Sequence, residues 1–324
     1  MATLKDVAER AGVTITTVSR MLNGRVKVSE TTRARITAAM EEIGYYPNEM
    51  ARSLVRKNSS FIGLIVPSAQ NYFFAEFIQH IEAAAEQKGF RLLLCVSNQD
   101  QKKEQEYYQM LLSNKVVGVI MANYSQNLPV RGTAPIVVFE QPVFPNIPYA
   151  LTDDWMGGHL AGKHLIEKGC RHLLYLSGNA EKNSISNKRF EGFAAACAEA
   201  DRPQPLLVEA TWDEFISMRY DLSVSRLFSQ HPEADGIFTS NDIMAAGVVQ
   251  YCRKNNIRIP EEKKIVGYDD TSFASLCAVP LTTIHQPIQE LAQYAVECTL
   301  KQANGATVPV STVFPVQLVE RETT

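Results

Sequence analysis

The 324 residues leave room for two or three domains, and a hydrophobic share of 45% is ordinary for a soluble chain with a sizeable core. No apolar run approaches the roughly 20 residues of a membrane span, and the start Met1-Ala-Thr-Leu-Lys-Asp6 does not read as a signal peptide, so a cytoplasmic protein with no membrane partner is expected. The net charge of −3 is unevenly spread: ten Lys/Arg stand against six Asp/Glu up to Ser60 and 22 against 29 beyond, a basic head on an acidic body that suits a polyanion at one end, although a solvated helix face gives the same split. Six scattered cysteines without a Cys-x-x-Cys pair, and six histidines without a His-x-x-x-His pair, point to buried thiols rather than disulfides or zinc. No metal and no cofactor are expected.

In chain order, Leu4, Val7, Ala8 and Ala11 recur at helical spacing, Thr3 with Asp6 supplies a start signal, and Gly12-Val13 turns the chain. Thr14 can cap a second helix that carries Ile15, Thr16, Ser19 and Arg20 outward and Val18, Met21 and Leu22 inward. Two short helices around a Gly-containing turn form a helix-turn-helix, whose second helix fits the major groove of DNA; an ordinary helical hairpin has the same spacing.

Leu4-Lys-Asp-Val-Ala8, Ala11-Gly-Val-Thr14 and Thr17-Val-Ser-Arg-Met-Leu-Asn23 together resemble the amino-terminal signature of the LacI/GalR family of transcriptional repressors. The resemblance implies a homodimer whose heads occupy a near-palindromic operator. In this reading Arg20 donates to guanine and Thr16 to a base edge, while Thr14, Thr17, Ser19, Asn23, Ser29 and Thr32 contact phosphate. Ile15 departs from the polar or small residue expected at such a position, and its apolar side chain suits a thymine methyl.

Ser29 caps a third helix in which Ile36, Ala39, Met40 and Ile43 form an apolar stripe before Gly44 stops it. Asn48 to Lys57 then offers only about two helical turns, too few to be stable alone. Ala51-Arg-Ser-Leu54 resembles the family's hinge helix, which implies pairing with its dimer mate in the minor groove and Leu54 wedged into a base step; a plain linker is the alternative.

From Phe61 apolar runs alternate with amphipathic helices. Strands are expected at 62–67, 91–96, 118–122 and 135–139, with helices at 74–89 and 104–112. After Asp153-Asp154-Trp155 a second series follows, with strands at 172–176, 206–208, 236–239 and 264–268 and helices at 157–168, 189–200, 218–229 and 243–255. Uninterrupted apolar strands between helices indicate α/β lobes with parallel sheets covered on both faces.

The resemblance supplies the rest of the architecture: a small all-α helix-turn-helix domain at 1–46, a hinge helix and linker at 47–60, and a two-lobed periplasmic-binding-protein-like domain at 61–324. Its first lobe is expected at about 61–152 and 286–313 and its second at about 153–285 and 314–324, with the chain from Leu281 to Ala303 returning to the first lobe and the last strand, near Phe314, crossing again. No leucine heptad follows to join dimers into tetramers.

Ligands of open α/β sheets sit beyond the carboxyl ends of strands. The resemblance implies that Arg189, opening Arg189-Phe-Glu-Gly-Phe193, holds an effector with its forked donors, and that Asn241, Asp269 and Glu140 join it. Trp212 offers a flat apolar face. Phe73, beside Tyr72 and Phe74, and Ile288, after His285-Gln-Pro287, are further candidates. Plainer roles exist for each: Asn241 and Asp269 as helix caps, Arg189 in a surface ion pair, and Trp212 and Phe73 in a core.

Carboxylates that accept from paired hydroxyls suit a neutral sugar, with a disaccharide preferred and a purine or nucleoside as the alternative, whereas a phosphate would meet Glu140 and Asp269 unfavourably. Ligand closing the cleft is expected to change operator affinity, with either sign. A sugar-binding transport protein would share the body but lack the head. An enzyme would need a motif that is missing: there is no Gly-x-Ser-x-Gly, phosphate-binding glycine loop or metal spacing around Asp153-Asp154, Glu140 or the histidines.

Overall fold

The computed structural model describes residues 2–23, 28–46, 60–122, 134–139, 146–178 and 185–324. Ala51 and Leu54 of the expected hinge, and Glu140, lie outside these residues, as does the side chain of Asn23. The chain divides into two compact units, Met1–Ser59 and Ser60–Thr324.

In the first unit α1 (Leu4–Ala11) opens on a reciprocal cap, the Thr3 hydroxyl accepting from the Asp6 amide and the Asp6 carboxylate accepting from the Thr3 amide at 2.8 Å. Gly12 closes it in the left-handed region at φ 61°, where a side chain would be strained. Thr14 begins α2 (Ile15–Asn23), its hydroxyl accepting from the Thr17 amide at 3.2 Å, and Ser29 likewise accepts from Thr32 at the start of α3 (Glu30–Glu42). Val7, Ala8, Ala11, Val18, Ile36 and Ala39 form the core at the crossing of the three helices. Arg35 on α3 donates to the Ala11 carbonyl at 2.5 Å, which fixes the turn from behind.

The second unit carries two six-stranded sheets. Its first stretch runs β1 (Phe61–Val66), α4 (Tyr72–Gln87), β2 (Arg91–Val96), α5 (Gln101–Ser113), β3 (Val119–Ala122), β4 (Ile136–Phe139) and β5 (Tyr149–Thr152). It continues through α6 (Asp154–Glu167), β6 (Leu173–Ser177), α7 (Ile185–Glu199), β7 (Leu206–Glu209), α8 (Trp212–Ser217), α9 (Asp221–Gln230), β8 (Gly236–Thr239), α10 (Asp242–Lys254), β9 (Lys264–Asp269) and α11 (Ser272–Leu276). Then come β10 (Thr282–His285), α12 (Ile288–Ala303), β11 (Ser311–Phe314) and β12 (Gln317–Val319).

The first sheet, in the order β11-β5-β4-β3-β1-β2, is parallel throughout. The second, in the order β12-β10-β9-β8-β6-β7, is parallel except that β12 runs antiparallel to β10. Helices α4 and α12 cover one face of the first sheet and α5 the other; α9 and α10 cover one face of the second, with α6 and α7 opposite. Such cover is why the strands read as apolar runs rather than as alternation.

Three expectations need correction. The return to the first lobe starts after Leu281, because Thr282–His285 pairs with β9 in the second sheet and only α12 packs on the first. The helix expected at 218–229 begins only at Asp221, because Met218 turns left-handed at φ 54° to close a separate short helix, α8, that was not expected. Strand β5, which lies between β11 and β4, was not expected at all, since four residues are too few to show a pattern.

One close contact positions the site. Helices α6 and α7 touch through glycine: a Cβ on Gly158 would stand 1.8 Å from the Arg189 carbonyl oxygen, and one on Gly192 would stand 1.8 Å from that of Trp155. Gly158→Ala is therefore expected to push the helices apart and destabilise the protein by about 3 kcal/mol in denaturant unfolding. Gly247→Ala, whose Cβ would meet only Val224 at 3.6 Å within α10, is expected to be neutral or to stabilise by up to about 1 kcal/mol.

Candidate nucleic-acid interface and small-molecule site

On α2 the residues away from the core are Ile15, 48% exposed, with Thr16 and Arg20 also exposed and Thr17 and Ser19 half-buried. Thr14 and Thr17 share a hydrogen bond between hydroxyls at 2.8 Å, as do Ser29 and Thr32, so all four line the starts of helices, where backbone amides point outward. The helix thus presents a cation, hydroxyls and one apolar side chain on a single face, the inventory that major-groove edges and phosphates require.

The second unit holds a buried polar cluster at the carboxyl ends of its strands. Arg189 on α7 and Asp154 at the start of α6 are each 8% exposed. Arg189 Nε donates to Asp154 Oδ1 at 2.8 Å, Nη1 donates to the Ser240 carbonyl at 2.6 Å, and the guanidinium lies 3.5 Å over the Tyr268 ring. Tyr268 completes the set by donating its hydroxyl to Asp154 at 3.1 Å. The Arg189 fork is thus partly committed within the protein, and only Nη2 lacks a hydrogen-bond partner among the described residues.

Asp269 ends β9 and is not a helix cap. Its Oδ1 accepts from Gln286 Nε2 at 2.7 Å, and Gln286 in turn accepts from the Thr152 hydroxyl at 2.8 Å. Burial pushes the Asp269 carboxyl up to about 7, against the opposing pull of Arg189. The Asp242 carboxyl is likewise raised, by burial and by Asp269, although it accepts from the Thr283 hydroxyl at 2.6 Å. The guanidinium itself stays charged: burial works against it, but Asp154, Tyr268 and Asp269 outweigh that.

Asn241 does cap α10, its Oδ1 accepting from the Met244 amide at 2.9 Å, and it is hydrogen-bonded to the Tyr220 hydroxyl. Trp212, half-buried, stacks on Phe215 at 5.7 Å; Phe215 covers Gly178, whose amide donates to Ser240 at 2.9 Å, so the indole reaches the cluster through one intervening ring. Phe73 and Ile288 pack in the core of the first lobe, at 4% and 5% exposure, because the first turns of α4 and α12 lean on the sheet there.

Sequence reasoning missed Asp154 as the partner of Arg189, together with Ser240, Gln286 and Thr152. No local pattern announces a pair 35 residues apart; the glycines at 158 and 192 are the only hint that two helices meet. The lobes also meet directly, since Glu76 on α4 accepts from the Ser272 amide of α11 at 2.7 Å and Tyr72 stacks on Phe273 at 4.6 Å.

Residues 3–48 match the family described as bacterial regulatory proteins, lacI family, and residues 163–324 match the periplasmic binding protein-like domain. The sucrose operon repressor of Streptococcus mutans is 35% identical over 99% of both chains. The chain belongs to the LacI family. Among solved structures, the lac repressor dimer bound to operator and the anti-inducer ONPF aligns over 99% of this chain and 98% of its own, with a TM-score of 0.84 at 26% identity. A periplasmic binding protein/LacI transcriptional regulator from Alkaliphilus metalliredigens, complexed with D-xylulofuranose, covers 82% of this chain and 99% of its own, with a TM-score of 0.72 at 34% identity. LacI-family members are DNA-binding regulators.

Because Arg189 and Asp154 are buried together, removing one strands the other. Arg189→Leu alone is expected to cost about 3–5 kcal/mol in chemical denaturation, and the double variant Arg189→Leu/Asp154→Leu markedly less. Equal losses in the single and double variants would show that the pairing is not what holds the cluster.

Proposed function

We propose that this LacI-family chain is a cytoplasmic, homodimeric repressor of a carbohydrate-utilisation operon, whose hold on its operator is set by a neutral sugar bound against Arg189 and Asp269. The observation that carries the ligand class is the pairing of open valences in one buried cluster: a donor at Arg189 Nη2 and an acceptor at Asp269 Oδ2, neither engaged among the described residues. Adjacent hydroxyls satisfy one of each. Phosphate would confront Asp154 and Asp269 at once. The sucrose operon repressor and the D-xylulofuranose complex among the relatives support a sugar, and sucrose is the first probe. For the dimer, the operator-bound lac repressor is the support, together with a groove on the second lobe where Leu276, 81% exposed, stands with Phe273, Ala246 and Tyr251.

Thr16 and Arg20 are the proposed base readers, Ile15 the thymine-methyl contact, and Thr14, Thr17, Ser19, Asn23, Ser29 and Thr32 the phosphate contacts. Ala51 and Leu54 are assigned to the hinge on resemblance alone. In fluorescence anisotropy with the operator of its own operon, Arg20→Ala is expected to cost about 1–3 kcal/mol and to relax preference at one base pair. Equal weakening on operator and random duplex would remove Arg20 from base reading.

Calorimetry tests the pocket. A panel of sucrose, ribose, fructose 6-phosphate, adenine and guanosine should yield binding by a neutral sugar that is weakened but still measurable in Asp269→Asn; binding only by a purine or a phosphorylated sugar overturns the pocket assignment. The pH dependence has a definite sign. Asp269 is neutral below about 7 and ionised above it, and the ionised form is the better acceptor for two hydroxyls. Sugar affinity is therefore expected to fall as pH drops from 8 to 6, by up to about tenfold per pH unit once Asp269 is protonated, with proton release on binding. In Asp269→Asn the profile should be flat.

A further inference from the structure

Two consecutive non-glycine residues with positive φ end β9: Asp269 at 113° and Asp270 at 54°. L-residues adopt such angles only where their surroundings hold them there. Asp270 is the residue held. Its Oδ1 accepts from Arg321 Nη2 at 2.6 Å and its Oδ2 is bonded to His285 Nδ1 at 3.0 Å, so both carboxylate oxygens are clamped, one from the last residues of the chain and one from β10.

Arg321 is itself tied down. Its amide donates to the Thr282 hydroxyl at 2.9 Å and its Nη1 donates to the Leu281 carbonyl at 2.7 Å. Two residues on, Thr323 is fully buried, its hydroxyl donating to the Ile265 carbonyl at 2.7 Å and accepting from the Thr282 amide at 2.8 Å. The chain terminus is thus stitched to β9 and β10, and its one guanidinium within reach of the turn grips the residue next to Asp269.

We propose that Arg321, acting through Asp270 with His285 as the opposing jaw, is a positioning residue for the effector site: the terminal segment holds the strained Asp269-Asp270 turn and so aims the Asp269 carboxylate. Gln286 completes the mechanism on the other side. Its amide donates to the Asp269 carbonyl at 3.2 Å while its side chain holds Oδ1, which leaves Oδ2 as the directed acceptor. Without Arg321, one Asp270 oxygen is unpaired, the turn relaxes toward negative φ, and the carboxylate of Asp269 rotates with its backbone. This inference rests on the assignment of Asp269 to the effector site.

The test uses the full-length protein and Arg321→Gln, with sucrose as probe and operator affinity of the sugar-free protein as the internal control. The expected result is a rise of tenfold or more in the sucrose Kd with operator affinity unchanged within twofold, and no further rise when Arg321→Gln is added to Asp269→Asn. A wild-type sucrose Kd in Arg321→Gln overturns the proposal, as does a parallel loss of operator affinity that marks a purely structural role. Asp270→Asn, which weakens the clamp without altering the terminal segment, guards against misfolding of the first variant and should give the same split. Should wild-type protein bind no sucrose, the ligand assignment fails separately, and hydrogen exchange at the Gln286 amide decides: faster exchange in Arg321→Gln at unchanged global stability supports the clamp, and unchanged exchange overturns it.

Discussion

The buried pair of Arg189 and Asp154 constrains everything around it. Taking a guanidinium out of water costs several kcal/mol, and the cost is offset by a carboxylate at hydrogen-bond distance and further hydrogen bonds to its donors. Here Asp154, the Ser240 carbonyl and the Tyr268 ring supply that surrounding from three different elements. To bring them together, α6 and α7 must run close enough for backbone to meet backbone, which is why glycine stands at 158 and 192. The packing of α6 on α7 is thus tied to that ion pair.

That pair sets the electrostatics of the neighbourhood. One guanidinium faces Asp154 and Asp269 in a region withdrawn from water, and Asp242 lies beside Asp269. Burial, with Asp269 as neighbour, pushes the Asp242 carboxyl up, while Asp269, pushed up to about 7, is held back by Arg189, which opposes its burial. In that condition a further negative charge would be unfavourable in the cluster, which is the basis of the proposal that its ligand is neutral.

The carboxyl ends of strands from both sheets converge on this cluster. Thr152 ends β5 of the first sheet and binds Gln286 beyond β10 of the second, so a side chain that holds Asp269 also ties the lobes together. Glu76 and Tyr72 on α4 add contacts to Ser272 and Phe273 on α11. The two lobes are therefore linked through side chains around this cluster, so that a change at the cluster bears on both of them.

The sequence by itself determined the helix-turn-helix head, the alternation of buried strands and helices, and the residue types beyond the strands, because these follow from local periodicity, caps and turn chemistry. Thr3 with Asp6, Thr14 and Ser29 form the caps their spacing implies, and β2 and β8 match their apolar runs residue for residue. Tertiary structure alone decided which of those residues face one another. Asp154 and Arg189, Asp269 and Gln286, and Asp270 and Arg321 are separated by 35, 17 and 51 positions, and no short-range pattern records such pairings. It decided too that Phe73 and Ile288 pack in the core, that Asn241 caps α10, and that Met218 turns left-handed between α8 and α9. Burial and charge pairing are properties of the packed chain, and they exist only once distant segments have displaced the water between them.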